Sequence, residues 1–300
     1  MSHPTTTPSA LETAHGAIPF PAYIPVTTFG ARYPLDDLIR PYLPRLAPAL
    51  MVSYHYAKQM KVRPELPLLI DSGGFASLFK GAKIRKQGGV GILKIPREDG
   101  GEDILTPSDV LAFQEANADV AFTLDFPIPP SMDAREAKQR LELTVLNAQW
   151  ALENRRSRTL KLYACIQGLN FDGYVLCAKE LVKAGFDGFA IGGLVPRVSD
   201  RKEIYRIVEA IRTIAEDRPI HVFGLGKPDL TDQLFSLGVQ SVDSSSYVKL
   251  AADGRSWKQP EITLQDATPM ERLQLALSNL AFAGKRNLPL SACLSLAGGN

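Results

Sequence analysis

From about residue 50 to residue 250 the chain repeats one unit. A short run of apolar and β-branched residues meets a break at Gly, Asp or Pro, and a segment with apolar positions at helical spacing follows. The clearest runs are Ala49 to Tyr54, Pro67 to Asp71, Val120 to Asp125, Leu160 to Gln167, Gly188 to Gly192, Ile220 to Gly224 and Val239 to Asp243. Their near-continuous hydrophobicity suits strands of a parallel sheet covered by helices. Between them, Asp133 to Arg155, Asp172 to Ala184 and Asp200 to Glu216 read as helices, the first opened by an Asp able to cap it. After Gly254 the rhythm stops: SWKQPEITLQDATP reads as loop, Met270 to Phe282 as helix, and SACLSLAGGN as a fraying end.

Alternation of strand and helix is compatible with a barrel or a doubly wound sheet. The polar residues decide between them. Asp71, Asp125, Gln167, Gly192, Gly224 and Asp243 all fall at the C-terminal end of a run, and in a (β/α)-barrel those ends converge on one mouth. A barrel needs about 250 residues, so the 300 here accommodate one. The expectation is an α/β protein with a (β/α)8 TIM-like barrel: residues 1–18 a flexible tail without apolar period, residues 19–300 a single barrel domain with a helical extension from about 255.

Composition narrows the function classes. At 45% hydrophobic and 22% charged, with 23 Gly and 22 Pro, the chain is that of a loop-rich globular enzyme. Lys plus Arg exceed Asp plus Glu by only 34 to 32, so any nucleic-acid contact must come from local patches rather than from a global field. Cys165, Cys177 and Cys293 form no CxxC pair, which argues against a disulfide framework and a cysteine zinc site and favours a reducing cytoplasm. No run approaches the roughly 18 apolar residues of a membrane span, and the N-terminal segment lacks a signal-peptide layout.

The chemistry sits at the strand ends. Asp71-Ser72-Gly73-Gly74-Phe75 closes an apolar strand with a carboxylate and two glycines that allow close approach of a flat ligand. Asp125 stands between apolar neighbours before a proline-rich turn. Gln167 offers an amide that donates and accepts, as a purine edge requires, and Gly192-Gly193-Leu194 offers backbone groups. Asp243 ends the last run among serines. Each motif alone reads equally well as a turn or a cap.

In combination they resemble the tRNA-guanine transglycosylase superfamily. DSGGF, LDFPIPP, IQG, GFDGFAIGGL, FGLGKPDL and VDS follow one another in that family's order from Leu68 to Gly254. The resemblance implies a pentosyltransferase that replaces guanine in a nucleic acid with a 7-deazaguanine derivative, such as 7-cyano-7-deazaguanine. It makes Asp243 the nucleophile at C1′ and Asp71 the general acid/base. It gives base binding to Ser72, Gly73, Phe75, Asp125, Gln167, Gly192, Gly193 and Leu194. A carboxylate can trap the oxocarbenium-like centre while a second carboxyl handles the proton, so no cofactor or metal is implied.

The chain also departs from the tRNA enzymes. The Cys-rich zinc subdomain is missing, and where they carry a PTR segment this chain has SSSYVKLAADGR, with only Lys249 and Arg255 as cations. With LMVSYHY before DSGGF, which is more like the superfamily's DNA-modifying branch, this favours DNA over tRNA as acceptor. Lys83, Arg85, Lys86, Lys249 and Arg255 are the residues assigned to its phosphates; Lys80 and the Arg155–Lys161 stretch are weaker candidates. A homodimer is a candidate partner; a membrane is not. His221, inside a strand, reads as a core residue. The competing functions are tRNA as acceptor, a barrel enzyme on a phosphorylated metabolite held by the Gly224–Lys227 turn, and an inactive subunit.

Overall fold

The computed structural model describes residues 7–29 and 33–285. It opens with an antiparallel hairpin of β1 (Ala10–Thr13) and β2 (Gly16–Pro19). Eight strands follow in one parallel sheet: β3 (Ala22–Pro25), β4 (Leu50–Val52), β5 (Leu68–Ile70) and, after an inserted three-stranded antiparallel sheet of β6 (Lys83–Gln87), β7 (Val90–Pro96) and β8 (Glu102–Leu105), β9 (Val120–Phe122), β10 (Lys161–Ile166), β11 (Gly188–Ile191), β12 (Ile220–Val222) and β13 (Ser241–Ser244). Their order is β3-β13-β12-β11-β10-β9-β5-β4. A parallel bridge from Val26 to Met51, with Thr27 N donating to Met51 O at 2.8 Å, joins the two outer strands and closes the barrel. The TIM-like expectation holds.

Two apolar layers follow from the two faces of the strands. Odd positions of β10 and their registered neighbours, including Leu69, Phe122, Tyr163, Cys165 and Ala190, fill the barrel interior. Even positions such as Leu162, Ala164 and Ile166 meet the surrounding helices. Those helices form where the pattern placed them. Ala134–Asn154 is capped by the Asp133 carboxylate, which accepts from Arg135 N and Glu136 N. Arg201–Ala215 buries Ile204, Ile207, Val208 and Ile211, and Pro269–Ala283 starts with a capping box between Thr268 and Glu271.

Several expectations need correction. Within the segment read as a flexible tail, residues 10–19 form the hairpin, held because Ile18 is buried under the barrel floor; residues 1–6 lie outside the described residues, as do SACLSLAGGN and Cys293. β3 was not anticipated, because Pro21 and Pro25 punctuate it. The strand expected to reach Tyr54 stops at Val52, and that expected to reach Asp125 stops at Phe122. In the latter case the Thr123 hydroxyl accepts from Cys165 N at 3.1 Å, so a side chain takes a bond the ladder would have made.

Candidate active site

Period-two alternation carries the interior-facing positions upward into the mouth. Above Leu69 stands Asp71, above Cys165 stands Gln167, above Ala190 stands Gly192, and above Ser241 stands Asp243. These tops line a cavity of about 270 Å³ together with Ser72, Gly74, Phe75, Asp125, Pro127, Pro129, Gly193, Val195, Pro196 and Phe223. Mostly apolar walls with a few convergent polar groups suit a flat heterocycle.

Asp71 is held by the backbone. Its Oδ1 accepts from Tyr54 N at 3.0 Å and Gly73 N at 2.8 Å. Enclosure by the mouth pushes its pKa up to about 7; the two amides oppose that shift, while the charges of Asp125 and Asp243 add to it. The side chain keeps a part-exposed edge, but that edge opens on the cavity rather than on bulk water, so the upward direction stands.

Asp125 and Gln167 form a buried pair. Ser72 Oγ donates to Asp125 Oδ1 and Gln167 Nε2 to Asp125 Oδ2, both at 2.7 Å, while Gln167 Oε1 accepts from Ile128 N at 3.4 Å. Burial raises the Asp125 pKa, and the bonds from Ser72 and Gln167 oppose the rise. Gly74 permits this closeness, since a Cβ there would lie 1.8 Å from the Asp125 carbonyl oxygen. Gly193 turns the next loop with φ 71°, a left-handed conformation that favours glycine.

Asp243, buried at 7% exposure, takes both of its hydrogen bonds on Oδ1: from Gly224 N and His221 Nε2, each at 3.0 Å. The structure thus brings Asp71, Ser72, Phe75, Asp125, Gln167, Gly192, Gly193 and Asp243 around one cavity. Gly73 serves through its amide to Asp71 and lies outside the lining, and the Leu194 side chain is fully buried in the core, leaving only its backbone for a ligand.

The basic residues divide. Lys83, Arg85 and Lys86 are exposed on β6, Lys86 on the opposite face from the other two, in the sheet inserted after β5; Lys249 and Arg255 are exposed just past β13. None lines the cavity. Arg155 is paired with Asp187 at the opposite, N-terminal end of the strands, which removes it as a phosphate ligand at the mouth.

Sequence reasoning missed the supports. Arg197 donates to Gly168 O at 3.2 Å, Leu169 O at 2.7 Å and Gly193 O at 3.3 Å, tying two mouth loops together. Arg140, buried on its helix, donates to Ser77 Oγ at 2.9 Å and Pro127 O at 3.0 Å. An arginine on an apolar helix face is the signal that marks it. Among the described residues no group of three or more His, Cys, Asp or Glu is placed to hold a metal, and the two described cysteines are buried and apart from any such set. A zinc ion has no fitting donor set among the described residues.

Comparison with known proteins agrees with the geometry. A family model described as queuine tRNA-ribosyltransferase matches residues 46–280. The queuine tRNA-ribosyltransferase of Thermosipho africanus is 30% identical over 268 residues, 81% of this chain and 71% of that one. The corresponding protein of Desulforudis audaxviator is 29% identical over 81% of this chain and 69% of its own. The tRNA-guanine(15) transglycosylase of Methanocaldococcus jannaschii is 34% identical over 164 residues, which are 52% of this chain but only 25% of the archaeal protein.

Proposed function

The chain belongs to the queuine tRNA-ribosyltransferase family of guanine transglycosylases, and on that premise we propose that it exchanges guanine in a nucleic acid for a 7-deazaguanine base through a covalent aspartyl intermediate. One observation carries the reading: Asp71 and Asp243 face one cavity, each with Oδ1 held by two donors and Oδ2 without a partner among the described residues.

Asp243 Oδ2 attacks C1′ as the C1′–N9 bond breaks, and Asp71, near half-protonated at neutral pH, gives its proton to the departing guanine. The incoming base loses its N9 proton to Asp71, its nitrogen bonds to C1′, and the Asp243 carboxylate leaves. Two displacements retain the configuration at C1′. Asp125 and Gln167, already joined, accept from and donate to the purine edge, with Gly193 and the Leu194 backbone beside them. The Phe75 ring, 63% exposed at the rim, covers one face.

The acceptor in this reading is tRNA, which the relatives' names carry. They give no support to the DNA acceptor favoured by the sequence; DNA stays as a second reading, on the thinly basic SSSYVKLAADGR stretch. The metabolite reading has less support, since one amide of its phosphate turn, that of Gly224, is engaged by Asp243. The test is incubation with labelled guanine or 7-cyano-7-deazaguanine and, separately, bulk tRNA, single-stranded DNA and duplex DNA. Label in tRNA is the expected result, label in DNA alone replaces the acceptor while keeping the chemistry, and label in none overturns the function.

A further inference from the structure

The interior of the barrel contains a polar column that neither the fold nor the base pocket requires. β12 and β13 are parallel with His221 in register with Ser241, and Asp243 lies two residues above Ser241 on the same face. The His221 ring therefore spans the two: Nδ1 is 2.8 Å from Ser241 Oγ and Nε2 is 3.0 Å from Asp243 Oδ1. The ring is fully buried and wedged against Phe122 and Phe223, with centroids at 5.1 and 5.0 Å. A core histidine packed only among aromatics needs no such alignment.

We propose that His221, oriented by Ser241, is a positioning residue for the nucleophile. The inference rests on Asp243 being that nucleophile. An ionised carboxylate only accepts, so Nε2 carries the hydrogen toward Asp243. In the neutral ring Nδ1 is then an acceptor, and the Ser241 hydroxyl donates to it. Asp243, which can only accept, thereby sets the Nε2–H tautomer, and Ser241, bonded to Nδ1 on the far side of the ring, holds the ring's orientation. With Gly224 N as second donor, Oδ1 is fixed and Oδ2 is left for C1′. When the glycosyl ester breaks down, the same two donors stand ready for the charge returning to the carboxylate.

A hydrolase-type triad is excluded by the direction of the column. Ser241 is buried beneath the ring, lining a void of about 10 Å³ with Leu11 and Ile18 at the barrel floor, out of reach of any substrate. The device serves the aspartate.

The test combines kinetics with a tautomer measurement on the full chain. His221→Phe keeps the aromatic packing and removes the donor; kcat for base exchange should fall about 10- to 100-fold with KM for the free base within about 3-fold, the signature of lost alignment rather than lost binding. His221→Gln, whose amide restores a donor, should recover part of that loss. Ser241→Ala should lower kcat by a smaller factor, and should add nothing in the His221→Phe background. Histidine-selective 15N NMR, with the His221 signals assigned by their absence from His221→Gln, should report an Nε2–H ring whose Nδ1 signal shifts in Ser241→Ala as its hydroxyl donor is lost. A folded His221→Phe with kcat within about 3-fold of the parent overturns the proposal, as does an Nδ1–H ring in the parent. Should His221→Phe fail to fold, Ser241→Ala decides: unchanged kcat and an unchanged Nδ1 signal overturn it, a change in both supports it. Asp243→Asn separates the two levels, because retained exchange there sinks the nucleophile reading itself, whereas a dead Asp243→Asn beside a fully active His221→Phe sinks only this one.

Discussion

The two sides of the barrel mouth hold chemically identical groups in different company. Asp71, above β5, is fixed by two backbone amides, and its enclosure in the mouth, with a smaller addition from the charges of Asp125 and Asp243, raises its pKa to about 7. Asp243, above β13, is fixed by one backbone amide and one imidazole. Both leave one oxygen for the cavity. The difference lies in that company: in the proposed mechanism the enclosed carboxyl that keeps its proton is the proton carrier, and the carboxylate held by an imidazole and an amide is the nucleophile.

The most severe way to break this comparison is to remove the charge of Asp243, the proposed nucleophile. Asp243→Asn keeps the shape and loses the attacking oxygen, and exchange should drop by at least about 10³-fold, with no covalent adduct trapped after denaturation. An adduct that survives, or near-normal exchange, places the nucleophile elsewhere.

The Asp71 side is broken by Asp71→Asn, for which exchange should fall about 10²- to 10⁴-fold and the pH dependence near 7 should vanish from the residual rate. Stability moves the other way. A carboxyl whose folded pKa is raised binds its proton more tightly folded than unfolded. Its contribution is therefore full below its ordinary value near 4 and is lost as pH rises through about 7. Asp71→Asn should accordingly raise Tm relative to the parent at pH 8 and do so less at pH 5. Equal Tm differences at both pH values contradict the raised pKa.

The supporting pair between the two acids gives a smaller effect. Ser72→Ala deprives buried Asp125 of one of its two side-chain donors. Stability should fall by about 1–3 kcal/mol, and KM for the incoming base should rise, because Asp125 is no longer pre-aligned for the purine edge. A Tm loss without a KM change would make Ser72 a purely structural partner.

The two sides also differ in how much of them the sequence discloses. DSGGF and the closing VDS stand at ends of apolar runs, so the inward direction of both aspartates follows from strand period alone, and Gln167 and Gly192 follow the same way. What holds Asp243 does not: His221 sits in strand register with Ser241 across a whole helical crossover, and a histidine in an apolar run carries the same pattern as a core residue. Arg197 is hidden likewise, two of its three partners being backbone carbonyls of another loop, while Arg140 is marked only by its place on an apolar helix face. β3 was obscured by its prolines. The β6–β7 hairpin was legible and overlooked: Gly88-Gly89, both with positive φ, form a two-residue turn between alternating segments.

The mildest effects concern the polymer, and they sharpen the contrast between the two sides. In the proposed mechanism Asp243 meets C1′, which is part of the nucleic-acid backbone, whereas Asp71 handles the base. Phosphates flanking the target should therefore lie closer to Lys249 and Arg255, just beyond β13, than to Lys83, Arg85 and Lys86 on the sheet inserted after β5. Lys249→Ala with Arg255→Ala should raise KM for the nucleic acid several-fold, leave KM for the free base and kcat nearly unchanged, and reduce the slope of log affinity against log salt by about 0.7 to 0.9 for each phosphate that is no longer neutralised. Replacing Lys83, Arg85 and Lys86 together should give the same signature with a smaller change. If the β6 triple variant has the larger salt effect, the backbone crosses the Asp71 side, and the division of sugar and base between the two aspartates has to be redrawn.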